Sequence, residues 1–90
     1  MPKALLEAMA CGLPVVAARI EATLEIIDDG RNGILCDADA ASLREAIIRL
    51  MQSPGLRKKL GCQARKTVEE RFSLSRVVGM ELELYSRLAG

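Results

Sequence analysis

Ninety residues allow one small domain at most, and thirteen basic residues against twelve acidic ones leave a net charge of +1. That balance gives no field for nucleic-acid binding, and the absence of histidine removes the commonest general base and metal ligand. Half of the residues are apolar, with one Phe, one Tyr and no Trp, so the core has to be aliphatic, and three cysteines suit neither a paired disulfide framework nor a zinc site. Reduced thiols in a cytoplasmic protein are therefore expected.

Pro2 fits a helix start, and Leu5, Leu6, Met9 and Ala10 follow at helical spacing before Gly12 stops the run, which predicts a helix over Lys3–Cys11. Glu7 and Gly12-Leu13-Pro14 break the most apolar stretch, so it is not a membrane span. Pro14-Val15-Val16-Ala17-Ala18 is an unbroken apolar run and reads as a strand buried on both faces. A short helix is expected over Thr23–Asp28. Asp29-Gly30 and Asn32-Gly33 are read as turn chemistry that uses positive φ, and Ile34-Leu35-Cys36 as a second strand.

Asp37 or Asp39 can cap the next helix, whose stripe of Leu43, Ala46, Ile47, Leu50 and Met51 should face the core. Ser53-Pro54-Gly55 is expected to separate it from a helix over Leu56–Arg71, with Leu60, Ala64 and Val68 on one face. Ser73 then caps a last helix through Leu74–Leu88. Cys11, Cys36 and Cys62 are read as small packing or boundary residues. Alternating elements of this order predict an α/β chain, a partial Rossmann-like domain with two short parallel strands and about four to five helices. Two strands do not make a self-sufficient sheet, and their open edges predict self-association as a homo-oligomer.

The segment from Pro2 to Val16, with Glu7 and Cys11-Gly12-Leu13-Pro14 in its middle, resembles the nucleotide-sugar site of group 1 (family 4) GT-B glycosyltransferases. Glu25-Ile26-Ile27, Asp29-Gly30-Arg31-Asn32-Gly33, Ser53-Pro54, Leu60-Gly61, Ala64-Arg65 and Glu70-Arg71-Phe72-Ser73 continue the match. The resemblance implies that residues 1–90 are the carboxyl-terminal part of the nucleotide-sugar-binding domain. It implies an enzyme that moves a hexose, with retention, from a nucleoside-diphosphate sugar to a sugar or lipid-linked acceptor, with no metal or other cofactor. Lys3 and Ala4 would face the diphosphate at the helix start, and Glu7 would accept hydrogen bonds from the ribose diol.

The family pairs two glutamates seven residues apart, and counting back eight from Glu7 falls before Met1. The first glutamate and the basic residues that hold the donor phosphates are therefore expected upstream of this segment, and the isolated chain is expected to be inactive as a transferase. Where relatives carry paired glycines and a proline, this chain has Glu21-Ala22 and Leu24, which brings a carboxylate toward a phosphate site. A non-catalytic remnant or self-associating interaction module is the alternative, and a truncated gene model is a third. Arg57-Lys58-Lys59 with Arg65-Lys66 reads as a solvated face balanced by Glu69 and Glu70, with peripheral membrane contact as the second reading.

Overall fold

The computed structural model describes residues 2–72. Their order is α1 (Lys3–Ala10), β1 (Val16–Ala18), α2 (Glu21–Leu24), β2 (Ile34–Cys36), α3 (Ala40–Gln52) and α4 (Pro54–Arg71). The two strands pair in parallel, with Val16 opposite Ile34, Ala17 opposite Leu35 and Ala18 opposite Cys36. The α/β expectation holds, with four helices among the described residues. The expected last helix lies outside them.

Side-chain alternation along the strands sorts the helices into layers. Val15, Ala17 and Leu35 face a core shared with Leu6, Met9 and Ala10 of α1 and Ala64 and Val68 of α4. Ile34, Cys36 and Val16 face the opposite core, with Ala46 and Leu50 of α3 and Leu56 and Leu60 of α4. Helices thus cover both faces of the sheet, and α4 contributes to both cores.

Each helix end has an identifiable cause. Gly12, at φ +73°, closes α1. Its N–H donates to the Met9 carbonyl at 3.0 Å and the Leu13 N–H donates to the Ala8 carbonyl at 3.1 Å, which satisfies two of the last carbonyls of the helix. Asp39 caps α3, accepting the Ser42 N–H at 2.8 Å. Those hydrogen bonds from Ser42, the backbone one foremost, hold its carboxyl below the ordinary value.

Several boundaries and burials differ from expectation. Pro14 and Val15 stay outside β1, because the opposing strand offers three partners and Pro14 has no N–H. All of β1 is half-buried rather than buried on both faces, since among the described residues it has a strand on one edge alone. The second helix forms at Glu21–Leu24, not Thr23–Asp28. Thr23 locks its start by accepting the Ile20 N–H at 3.2 Å and donating to the Ala18 carbonyl.

The expected loop at Ser53-Pro54-Gly55 shrinks to Ser53 alone, which ends α3 and starts α4 by accepting the Leu56 N–H at 3.2 Å. Serine followed by proline is a helix start, not a spacer. On α3 only Ala46 and Leu50 of the expected stripe are buried. Leu43, Ile47 and Met51 are 43%, 44% and 69% exposed. Cys11 and Cys62 are exposed, not packing residues, whereas Cys36 is buried.

Asn32 and Gly33 do not use positive φ; among the described residues Gly12 and Gly30 alone do. Asn32 is instead a buried hub. Its carbonyl oxygen accepts the Asp28 N–H at 2.8 Å, and its amide donates to the Ile26 carbonyl at 3.1 Å and to Thr67 Oγ1 at 2.9 Å. Gly33 packs closely, because a Cβ there would lie 3.0 Å from a methyl of Val15 and 3.1 Å from one of Ile27, and those side chains would have to give by a few tenths of an ångström.

Candidate functional site

Helix α1 is pinned by Leu6 and Met9, both fully buried. They recur at helical spacing and press one face on Val15, Ala64 and Val68. The opposite face carries Lys3 and Ala4, both exposed, and Glu7 rides at the rim, half-buried. The three residues predicted from sequence therefore share the first turn and a half of one helix. Lys3 and Glu7, four positions apart, stand about 6 Å apart along its axis.

The first backbone bond of α1 runs from the Leu6 N–H to the Pro2 carbonyl at 3.1 Å. The N–H groups of Lys3, Ala4 and Leu5 precede it and point out of the helix end. Pro2 occupies the N-cap without a side-chain cap, and no acidic residue lies in the first turn. The partial positive charge of this end is thus left for something outside the helix.

Several charged side chains elsewhere are committed. Arg19 meets Asp37 at 3.2 Å and Asp29 at 3.8 Å, Arg31 meets Asp28 at 3.3 Å, and Arg65 meets Glu69 at 3.0 Å. Arg57 donates to the Leu50 and Met51 carbonyls at 2.7 and 2.8 Å, which takes it out of the basic run and makes it a cap for α3. Arg71 donates to the Glu25 carbonyl. Among the described residues Lys3 and Glu7 enter no ion pair, not even with each other.

In parallel α/β sheets ligands collect at the carboxyl ends of the strands. A helix that leads into a parallel strand runs back along it, so the start of α1 lies toward that end. Arg19, just after β1, and Asp37, just after β2, sit at the same end, and Asp29 from the segment before β2 joins them. Sequence reasoning missed this group, whose members are eight to ten residues apart or more and carry no motif. Glu21 opens α2, where its carboxylate complements the positive end of its own helix. None of Lys3, Ala4 or Glu7 lines the grooves beside α3.

No group of three or more His, Cys, Asp or Glu able to hold a metal ion occurs among the described residues. No described helix is long and apolar enough to cross a membrane.

A family model described as glycosyl transferases group 1 matches residues 1–67. The N-acetyl-alpha-D-glucosaminyl L-malate synthase of Bacillus anthracis is 34% identical over 82 residues, which cover 90% of this chain and 22% of that protein. Among solved structures, the sucrose-phosphate synthase of Thermosynechococcus elongatus superposes with a TM-score of 0.75 at 30% identity, over 94% of this chain and 22% of its own. HepE of Anabaena, crystallised with UDP and glucose, superposes with a TM-score of 0.77 at 25% identity, over 97% of this chain and 24% of its own. The chain thus spans about a quarter of the length of the proteins it matches.

Proposed function

Because the chain belongs to the group 1 glycosyl transferases, we propose that residues 1–90 are the carboxyl-terminal part of the nucleotide-sugar-binding domain of a retaining GT-B enzyme. The parent activity is transfer of a hexose from a nucleoside-diphosphate sugar to a sugar or lipid-linked acceptor. The observation that carries this reading is the union, on α1, of an uncapped amino-terminal end with a half-buried, unpaired Glu7 one turn further on.

The chemistry follows from that union. A diphosphate at the start of α1 meets the N–H groups of Lys3 and Ala4, the helix dipole and the Lys3 ammonium. As the sugar–phosphate bond breaks, negative charge grows on the leaving diphosphate, and fixed dipoles aimed at it lower the barrier. The Glu7 carboxylate accepts two hydrogen bonds, which suits the vicinal hydroxyls of a ribose. The UDP and glucose in the HepE crystal support a nucleotide-sugar partner. Groups that contact the transferred sugar and the acceptor belong to a larger assembly, so this segment supplies binding rather than turnover.

The odd number of cysteines supports a cytoplasmic location. We also propose that the chain self-associates, which the exposed apolar stripe on α3 favours.

The test is a two-dimensional amide spectrum of the full chain, titrated with UDP, GDP and ADP to millimolar concentration. One nucleotide should shift resonances confined to Lys3–Ala8. A hydrogen bond to a charged group contributes about 1.5–3 kcal/mol, so Glu7→Gln should weaken that response roughly tenfold or more. A dispersed spectrum that no nucleotide perturbs would sink the proposal.

A further inference from the structure

Helix α4 separates charge along its length. It holds six basic residues against two acidic ones in a chain whose net charge is +1, so the remainder of the chain is net negative. From Pro54 to Val68 it carries no acid. Arg57, Lys58 and Lys59 stand near its start, and Glu69 and Glu70 stand in its last turn. That order runs against the helix dipole, which favours acids at the start and cations at the end.

The cations divide by what they touch. Arg57 is taken up by the Leu50 and Met51 carbonyls, Arg65 by Glu69, and Arg71 by the Glu25 carbonyl. Lys58, Lys59 and Lys66 are exposed and enter no ion pair among the described residues. Glu69 thus balances Arg65 alone, and Glu70, four positions after Lys66, does not close on it. Lys58 and Lys66 share one outward stripe with Cys62 between them and stand about 12 Å apart along the axis. A local preference broken with no compensating contact marks a surface shaped by something other than stability.

Leu13 adds an apolar element on the flank of this stripe. Its carbonyl carbon lies 3.6 Å from where Gly61 would carry a Cβ, and Lys58 and Arg65 lie one turn to either side of Gly61. The Leu13 residue is 52% exposed.

We propose that this face of α4, with Leu13 beside it, seats the protein on an anionic lipid surface. Three features favour a bilayer over another polyanion. Lysine is a flexible, hydrated point charge, which suits a layer of mobile headgroups better than a single gripped phosphate. The lysines line none of the grooves beside α3, so they offer a face and not a pocket. Cations beside an exposed leucine, with no aromatic ring on which a base could stack, match an interfacial helix and not a nucleic-acid platform. The inference goes beyond the donor reading of α1 and does not depend on it.

The test is co-sedimentation of the 90-residue chain with two kinds of vesicle, phosphatidylcholine alone and equal parts phosphatidylcholine and phosphatidylserine. Binding should require phosphatidylserine. It should fall steeply as salt rises from about 0.1 M, where the screening length is about 10 Å, to about 1 M, where it is about 3 Å. Each cation near an anionic bilayer strengthens binding about fivefold, so replacing Lys58, Lys59 and Lys66 together by Gln should weaken it about a hundredfold. Far-UV circular dichroism should not change, because only exposed side chains are altered. Leu13→Gln should weaken vesicle binding about fivefold. A wild-type chain that binds both vesicles alike overturns the proposal, and a triple variant that binds as wild type overturns this face. Polyuridylate bound as tightly as the anionic vesicles, with Leu13→Gln altering neither, overturns the bilayer in favour of a soluble polyanion. None of these outcomes bears on nucleotide binding at α1, which the amide spectrum reads separately.

Discussion

Replacing Gly61 by alanine should be the most damaging glycine-to-alanine change among the described residues. Gly61 lies inside α4, where alanine would ordinarily gain about 0.5–1 kcal/mol over glycine. Here its Cβ would stand 2.1 Å from the Gly12 carbonyl oxygen and 3.1 Å from the carbonyl carbon. Side-chain contacts essentially never fall below 3.0 Å, so something must retreat by at least 3.0 − 2.1 = 0.9 Å. The Gly12 peptide is held at φ +73° and by its N–H bond to Met9. Moving α4 instead opens the seam at Leu60, Ala64 and Val68, all with no exposed surface. A gap of about 0.5–1 Å forfeits roughly a quarter to a half of each dispersion contact. With the usual overpacking cost of about 1–3 kcal/mol, the net loss should be roughly 1–2 kcal/mol after the helix gain of about 0.5–1 kcal/mol is subtracted. Urea unfolding followed by far-UV circular dichroism should show the midpoint falling by about 0.5–2 M, taking a slope near 1–2 kcal/mol/M for a chain this small. Gly55→Ala is the control, because its Cβ meets nothing within 4 Å in the same helix, and it should be neutral or stabilising. Equal midpoints for the two variants would refute the close-approach account.

Asn32→Ala should cost about 2–3 kcal/mol in the same assay, because it leaves the Asp28 N–H and the buried Ile26 carbonyl without this partner and takes one donor from Thr67 Oγ1, which keeps its own bond to the Gln63 carbonyl. Thr67→Val, which removes one partner of that hub, should cost less, and a reversed order would count against the hub. Asp39→Ala should destabilise α3 through loss of its cap, and the effect should depend on pH. The folded carboxyl of Asp39 sits below its ordinary value of 3.8 because Ser42 hydrogen-bonds the ionised form. Its contribution is therefore fully present above that ordinary value and is lost as pH falls through the lowered folded one. Wild type and Asp39→Ala should differ at pH 7 and converge in strong acid; a gap that persists unchanged would refute the assignment.

Much of this structure is legible in the amino-acid order because local signals agree. Leu6, Met9 and Gly12 state α1 and its end, and Ile34-Leu35-Cys36 reads as the strand it is. The candidate site residues Lys3, Ala4 and Glu7 fall within one helix, so their mutual placement needs no long-range knowledge. What periodicity does not reveal is which neighbours are present. The α3 stripe repeats as a buried face should, yet burial needs a facing element, and Leu43, Ile47 and Met51 face none among the described residues. The Asn32 hub was hidden for a related reason. Asn-Gly is the strongest short turn signal, but the amide of Asn32 is held by Thr67, thirty-five positions on, and no local pattern announces that partner.

Helix α4 reaches into both cores, placing Leu60 with α3 and β2 on one face of the sheet, and Ala64 and Val68 with α1 on the other. One continuous rod is therefore the bolt through two otherwise separate apolar compartments. Withdrawal of the rod opens both. Heat or denaturant should accordingly find no half-unfolded chain, and signals from opposite sides of the sheet should vanish at the same midpoint. During synthesis the same feature sets the order of events. The elements that precede α4 leave the ribosome with both compartments unsealed, and these close only when α4 arrives.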